Sequence, residues 1–197
     1  MINTTLIIFI RNPELGKVKT RLARDVGAEK ALAIYEALLR HTRETAMQIE
    51  ARRLLFYSQG IQEKDDWPPA YFDKRLQSGN DLGERMQHAF ATALATTDKA
   101  VIVGSDIAQI DAEIIKKAFA ALDETDFVIG PALDGGYYLL GMKQPTPELF
   151  QNMPWSTDQV CALTQQRIRQ LGKTYRLVDT LSDIDYASDW EQHGWEL

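Results

Sequence analysis

Cysteine is nearly missing from this chain. Cys161 is the only one in 197 residues, which excludes an internal disulfide and any cysteine-rich metal site. With Val160 and Leu163 beside it on a helical segment, Cys161 reads as buried rather than nucleophilic. Histidine is scarce as well, and His41, His88 and His193 show neither metal-ligand nor catalytic-triad spacing. No apolar run approaches the roughly 20 residues that span a bilayer, so no membrane association is expected. Met1 is followed almost at once by a strand-like segment with no charged leader, so a signal peptide is not expected and a cytoplasmic location is. The phosphate pattern G-x-x-x-x-G-K-S/T and the dinucleotide pattern G-x-G-x-x-G are both absent. Positive charge is in deficit too: the net charge of −6 argues against general nucleic-acid binding.

What is present is an ordinary soluble composition, 45% hydrophobic and 25% charged, in a length that suits one domain over residues 1–197. The charge is uneven. Residues 1–53 hold ten Lys and Arg against six Asp and Glu, a basic start on an acidic chain, which suggests a local pocket for an anion.

Strand-like and helix-like segments alternate. Strands are expected at 6–10, 53–57, 100–104, 127–130, 137–140 and 175–178. Helices are expected at 28–49, from Leu82 with Asp81 as N-cap, at 111–122, 158–171 and 186–193. Residues 59–76, with Trp67-Pro68-Pro69, read as a polar irregular connection. This order predicts an α/β fold with a mainly parallel sheet, helices on both faces and an antiparallel element within 127–140. Ligands of such sheets bind at the carboxyl ends of strands, which puts the 11–21 loop, Asp106 and Asp134 near one rim.

The loop after the first strand carries Arg11, Gly16, Lys17, Lys19 and Arg21 before a helix, where free N–H groups and the helix dipole favour anions. It reads either as a solvated basic loop or as a cradle for a di- or triphosphate, with Gly16 admitting close backbone approach and Lys19 and Arg21 neutralising charge. Asp106, in Gly104-Ser105-Asp106, either caps a turn or ligates Mg²⁺, a cation that takes one or two carboxylates together with phosphate oxygens. Asp134-Gly135-Gly136 suits a hairpin turn, or a site where glycines admit a sugar or base while Asp134 binds a hydroxyl. Trp155, in Pro154-Trp155-Ser156-Thr157-Asp158, belongs to a helix cap or to an acceptor pocket. Asp183 and Asp185 stabilise the first turn of the last helix, or one of them supplies a second metal ligand.

Taken together, these segments resemble the nucleotide-diphospho-sugar transferase superfamily, the GT-A type of fold. More narrowly, the chain is similar to a bacterial glycosyltransferase-like family also called radical-SAM/selenodomain-associated transferases. The resemblance is carried by Gly16-Lys17-Val18-Lys19-Thr20-Arg21-Leu22, Asp81-Leu82-Gly83-Glu84-Arg85-Met86, Gly104-Ser105-Asp106, Gly130 to Leu139, Trp155-Ser156-Thr157 and Asp183-Ile184-Asp185. The first and third segments also resemble the molybdenum-cofactor and 2-phospholactate guanylyltransferases. The resemblance implies a three-layer Rossmann-like fold, phosphate contacts from Lys19 and Arg21, Mg²⁺ or Mn²⁺ on Asp106 with Asp185, and a place near nucleotide or acceptor for Asp81, Leu82 and Gly83. Three departures stand out: Ile107-Ala108 replaces the family's Cys-Pro, Arg11 stands where Lys is common, and Tyr186 replaces a Thr.

The expected function is metal-dependent transfer from a nucleotide donor to a small-molecule acceptor. Glycosyl transfer from a nucleotide sugar is the first reading. Nucleotidyl transfer from a nucleoside triphosphate, with pyrophosphate release, is the second. A nucleotide-binding protein without catalysis is the third. Donor base, acceptor and oligomeric state are not legible in the sequence.

Overall fold

The computed structural model describes residues 3–197, and no helix among them is long and apolar enough to cross a membrane. In chain order the elements are β1 (Thr4–Ile10), α1 (Thr20–Val26), α2 (Ala28–Met47), β2 (Arg52–Tyr57), β3 (Asp73–Leu76), α3 (Leu82–Leu94) and β4 (Lys99–Val103). They continue as α4 (Ala112–Glu124), β5 (Phe127–Pro131), β6 (Tyr137–Met142), α5 (Val160–Gln170), β7 (Tyr175–Leu177) and α6 (Ala187–His193). The seven strands form one sheet in the order β3-β2-β1-β4-β6-β5-β7. Every neighbouring pair is parallel except those made by β6, which runs antiparallel to β4 and β5. The chain therefore has the three-layer α/β fold of the GT-A and nucleotidyltransferase proteins.

The continuous apolar run of β1 follows from burial on both faces. Leu6, Ile8 and Ile10 pack with Tyr35 and Leu39 of α2 and Ile115, Ala118 and Leu122 of α4. Ile7 faces the other way, towards Met86, Ala89 and Phe90 of α3 and Cys161 and Ile168 of α5. Helices α3 and α4 begin at aspartate caps: Asp81 accepts from the Glu84 amide at 2.8 Å, and Asp111 from the Ile114 amide at 2.8 Å.

Two elements depart from the sequence reading. Asp73–Leu76, within the connection expected to be irregular, is the edge strand β3. It packs little apolar surface, so the segment has no hydrophobic run to reveal it. Thr20–Val26 is a separate helix, α1, so Arg21 lies in a helix and not in the loop; Gly27, at φ 85°, divides it from α2.

From β1 the chain moves to β2 and β3 on one side, and later to β4 on the other. The carboxyl ends of β1 and β4 thus flank the point where the winding reverses, the usual crevice for a ligand in open α/β sheets. Because β6 returns antiparallel from β5, the 132–136 connection also lies on this rim. Gly141 leaves no room for a side chain between the neighbouring strands: a Cβ there would lie 2.6 Å from Val128 Cγ1 and 2.9 Å from Val101 Cγ2. Gly141→Ala is expected to cost about 1–3 kcal/mol through overpacking, read as a lower urea midpoint with an unchanged slope. An unaltered midpoint would show that the strands have room to spare.

Candidate active site

The rim is assembled from three loops that are distant in sequence. Ile107 and Asp183 form an isolated antiparallel bridge, and the Ile184 amide donates to the Asp106 carbonyl at 3.0 Å. The same segment then reaches the β5–β6 loop, where the Leu133 amide donates to the Leu181 carbonyl at 3.0 Å. Beneath them, Leu22, Ile34, Leu38, Ala108 and Ile184 form a small apolar cluster of their own. Leu22 adjoins Arg21, Ala108 follows Asp106 by two residues, and Ile184 separates Asp183 from Asp185. Apolar burial therefore fixes the backbone from which each charged side chain projects. Ile107, which stands in place of a cysteine in the similar family, is buried, and its bridge to Asp183 supplies a restraint where that family has proline.

The charges meet above this cluster. Lys19 adopts a left-handed conformation (φ 48°, ψ 46°) at the N-cap of α1, and its side chain is only 5% exposed. Its Nζ lies 3.2 Å from Asp106 Oδ2 and 3.7 Å from Asp185 Oδ1, while Arg21 Nη1 contacts Asp185 Oδ2 at 2.8 Å. The Asp185 amide in turn donates to Asp189 Oδ2 at 2.9 Å, which fixes the entry into α6. Burial, then the Asp134 and Asp106 carboxylates, push the Asp183 carboxyl up to about 7; Lys19 works against this shift and Asp185 adds to it. Asp134 also accepts from the Gly136 amide at 2.8 Å.

A cavity of about 640 Å³ opens beside these charges. Its polar wall contains Arg11, Asn12, Lys17, Ser58, Gln59, Gln77 and Arg85, and its apolar wall Phe9, Leu82, Met86, Tyr137 and Trp155. Asn12 is buried and organises the polar side: its Nδ2 donates to the Gly60 carbonyl at 2.7 Å, and its Oδ1 accepts from the Gln59 amide at 3.0 Å. Arg85 Nε donates to the Gly79 carbonyl at 3.1 Å. Burial raises the Tyr137 hydroxyl well above its usual range.

The residues singled out in the sequence thus separate into three groups. Arg11, Lys17, Leu82, Asp106 and Trp155 line the cavity. Lys19, Arg21, Asp106 and Asp185 converge, but as ion pairs with one another. The third group has structural work visible in its contacts. Gly16 (φ 74°) turns the loop in open space, near the hydrogen bond between the Lys17 amide and the Glu14 carbonyl. Asp81 is occupied as a helix cap, and a Cβ on Gly83 would lie 2.8 Å from the Trp155 ring. At Gly135 (φ 90°) a Cβ would meet the Asp158 carbonyl at 2.1 Å, and on Gly136 it would lie 3.1 Å from Asp134 Oδ1.

Among the described residues, no three Asp, Glu, His or Cys side chains converge as a complete metal cage would. Asp106 and Asp185, which flank one cation, fit a different arrangement. Magnesium and manganese accept one or two carboxylates and complete their shell with phosphate oxygens and water.

Sequence reasoning missed Asn12, Arg85 and Tyr35. The Tyr35 hydroxyl accepts from the Arg11 amide at 2.8 Å, donates to the Arg11 carbonyl at 3.1 Å, and lies 3.2 Å from Ser105 Oγ. All three contacts are satisfied when Ser105 donates. Tyr35 therefore ties the β1 loop to the loop carrying Asp106. A tyrosine in an otherwise apolar helical stripe was the available signal, since a buried hydroxyl requires partners.

The fold and this rim define a protein of the nucleotide-diphospho-sugar transferase type. The chain belongs to the DUF2064 family, described as uncharacterized protein conserved in bacteria, whose model matches residues 41–157. No protein of curated function matches it in sequence. A candidate nucleotide-diphospho-sugar transferase from Desulfovibrio desulfuricans G20 is 32% identical, with a TM-score of 0.87 over 94% of this chain and 84% of that one. The inositol-1-phosphate CTP transferase from T. maritima superposes with a TM-score of 0.62 at 12% identity, covering 95% of this chain and 91% of that one. A manganese complex of a Mycobacterium tuberculosis H37Rv protein gives 0.53 at 11% identity, covering 97% of each chain. These last two likenesses are of fold.

Tyr35→Phe removes the hydroxyl and leaves the Arg11 amide without its partner. It is expected to lower unfolding stability by about 1–2 kcal/mol, measured by urea denaturation. A loss below a few tenths would show that water replaces the hydroxyl.

Proposed function

We propose that this protein is a transferase that takes a nucleotide-activated donor, and that the group it transfers is a glycosyl unit. The observation that carries this reading is the juxtaposition of Asp106 and Asp185 with a large cavity whose lining combines cations with apolar and aromatic side chains. Donor phosphates fit the side of Arg11 and Lys17, both of which line the cavity. The sugar and acceptor fit the side of Leu82, Met86, Tyr137 and Trp155, whose apolar and aromatic surfaces suit a sugar ring. Asp106 and Asp185 would hold Mg²⁺ or Mn²⁺ together with the donor's phosphate oxygens; bound there, the ion supplies Lewis-acid stabilisation of the leaving diphosphate. The acceptor hydroxyl attacks the anomeric carbon and gives its proton to solvent, the bond from that carbon to the phosphate oxygen breaks, and a nucleoside diphosphate departs.

The state of the basic loop supports glycosyl transfer over nucleotidyl transfer. Four loose cations would suit a triphosphate, but Lys17 is paired with Glu14, and Lys19 and Arg21 are paired with Asp106 and Asp185. The 32% identical relative, a candidate nucleotide-diphospho-sugar transferase, points the same way. One observation favours the second reading: Arg85 joins Arg11 and Lys17 on the cavity wall, giving three cations for a triphosphate. In that chemistry the acceptor oxygen attacks the α-phosphorus and pyrophosphate leaves.

A thermal-shift screen of nucleotide sugars and nucleoside triphosphates with Mg²⁺ or Mn²⁺ separates these readings. Ligand at 100 times its Kd stabilises by about 2.7 kcal/mol, a rise of roughly 5–10 °C for a chain of this length. Asp106→Asn is expected to abolish the shift while leaving the ligand-free melting temperature within a few degrees. Release of a nucleoside diphosphate from a hit identifies glycosyl transfer, and pyrophosphate release identifies nucleotidyl transfer. Turnover excludes binding without catalysis. Absence of a shift with every donor would overturn the proposal.

A further inference from the structure

We propose that Lys19 is an internal stand-in for the divalent cation, so that the site takes its metal together with phosphate and not as a free ion. This rests on the reading of Asp106 and Asp185 as the metal-holding pair.

The ammonium group occupies the place where a cation shared by these carboxylates would sit, 3.2 Å from one and 3.7 Å from the other. Its side chain is 5% exposed, yet Nζ makes no aligned hydrogen bond. Charge alone holds it there. The left-handed backbone at Lys19 directs the side chain away from solvent, in contrast to Lys17, which is 63% exposed and paired with Glu14. Arg21 covers the remaining oxygen of Asp185 from outside and is 59% exposed.

A divalent ion arriving alone competes with this ammonium for the same oxygens. Once displaced, Lys19 would remain buried without a partner, which is costly. Arrival with a diphosphate changes the balance, because Lys19 exchanges carboxylate oxygens for phosphate oxygens and no charge is left uncompensated. Metal and phosphate should therefore raise each other's affinity by the same factor, as linkage requires. The consequence has an unusual sign: removing a cation from the site tightens binding of a metal.

The test is Mn²⁺ binding to the full chain by equilibrium dialysis, with pyrophosphate as the phosphate probe and a protein-free control that accounts for the Mn²⁺–pyrophosphate complex formed in solution. Lys19→Met is expected to bind Mn²⁺ alone about tenfold more tightly than the wild type and to lose the enhancement by pyrophosphate. Arg21→Met, which removes only the outer contact, is expected to gain less. In the wild type, pyrophosphate should strengthen Mn²⁺ binding roughly fivefold or more, and should Lys19→Met not fold, Lys19→Gln, which keeps a polar contact to the carboxylates, takes its place with the same expected direction. Equal or weaker Mn²⁺ binding by folded Lys19→Met, or no effect of pyrophosphate on the wild type, would overturn the proposal. None of these arms contains a nucleotide. Failure of every nucleotide donor to bind would therefore count against the proposed transferase function, while the Mn²⁺ comparison still tests the role of Lys19 independently.

Discussion

Carboxylates repel, and this fold brings Asp106, Asp134, Asp183 and Asp185 to one rim. Everything around the site follows from holding that arrangement together. The apolar cluster of Leu22, Ile34, Leu38, Ala108 and Ile184 anchors the backbones, and the bridge between Ile107 and Asp183 fixes two of the acidic loops to each other. Lys19 and Arg21 then offset part of the repulsion. Burial positions the loops without regard to charge, and the ion pairs supply the charge compensation that burial does not.

Sheet topology explains why these loops meet at all. The carboxyl ends of β1 and β4 adjoin where the winding reverses, so the Lys19 loop and the Asp106 loop start from neighbouring strands. An all-parallel sheet would carry the chain from β5 across a helix and away from the rim. The antiparallel return of β6 keeps residues 132–136 there instead, and Ala132 pairs onwards with Leu181 in the segment leading to Asp183. The single reversed strand is thus what adds Asp134 to the site. Within it, Gly141 leaves no room for a side chain between Val128 and Val101.

Much of this was legible in the sequence where a segment is either uniformly apolar or periodic. The runs at 6–10 and 100–104 are central strands because both of their faces are buried, and Asp81 and Asp111 mark helix starts because an N-cap needs a short acceptor side chain. β3 was hidden because Asp73-Lys74-Arg75-Leu76 lies at the sheet edge and obeys no hydrophobic rule. The glycines show a subtler limit. Gly16 and Gly135 both have positive φ, but only Gly135 touches a neighbouring backbone, and sequence cannot distinguish a turn in open space from a close approach. Charge pairing was equally opaque. Lys17 and Lys19 are two residues apart and look interchangeable, yet one is solvated and the other lies between carboxylates 87 and 166 residues further along the chain.

That difference between two lysines changes what a basic loop means. Read as a string, Arg11, Lys17, Lys19 and Arg21 are four cations available to an anion. In the folded chain three of them already have anions supplied by the protein itself: Lys17 pairs with Glu14 at the surface, Lys19 with Asp106 and Asp185, and Arg21 with Asp185. The carboxylates of this rim outnumber the two cations paired among them, Lys19 and Arg21, so negative charge is left for a divalent cation to offset. The loop and the carboxylates are therefore halves of one device: each holds the other's charge until a ligand bearing both a cation and phosphates replaces the two sets of contacts together.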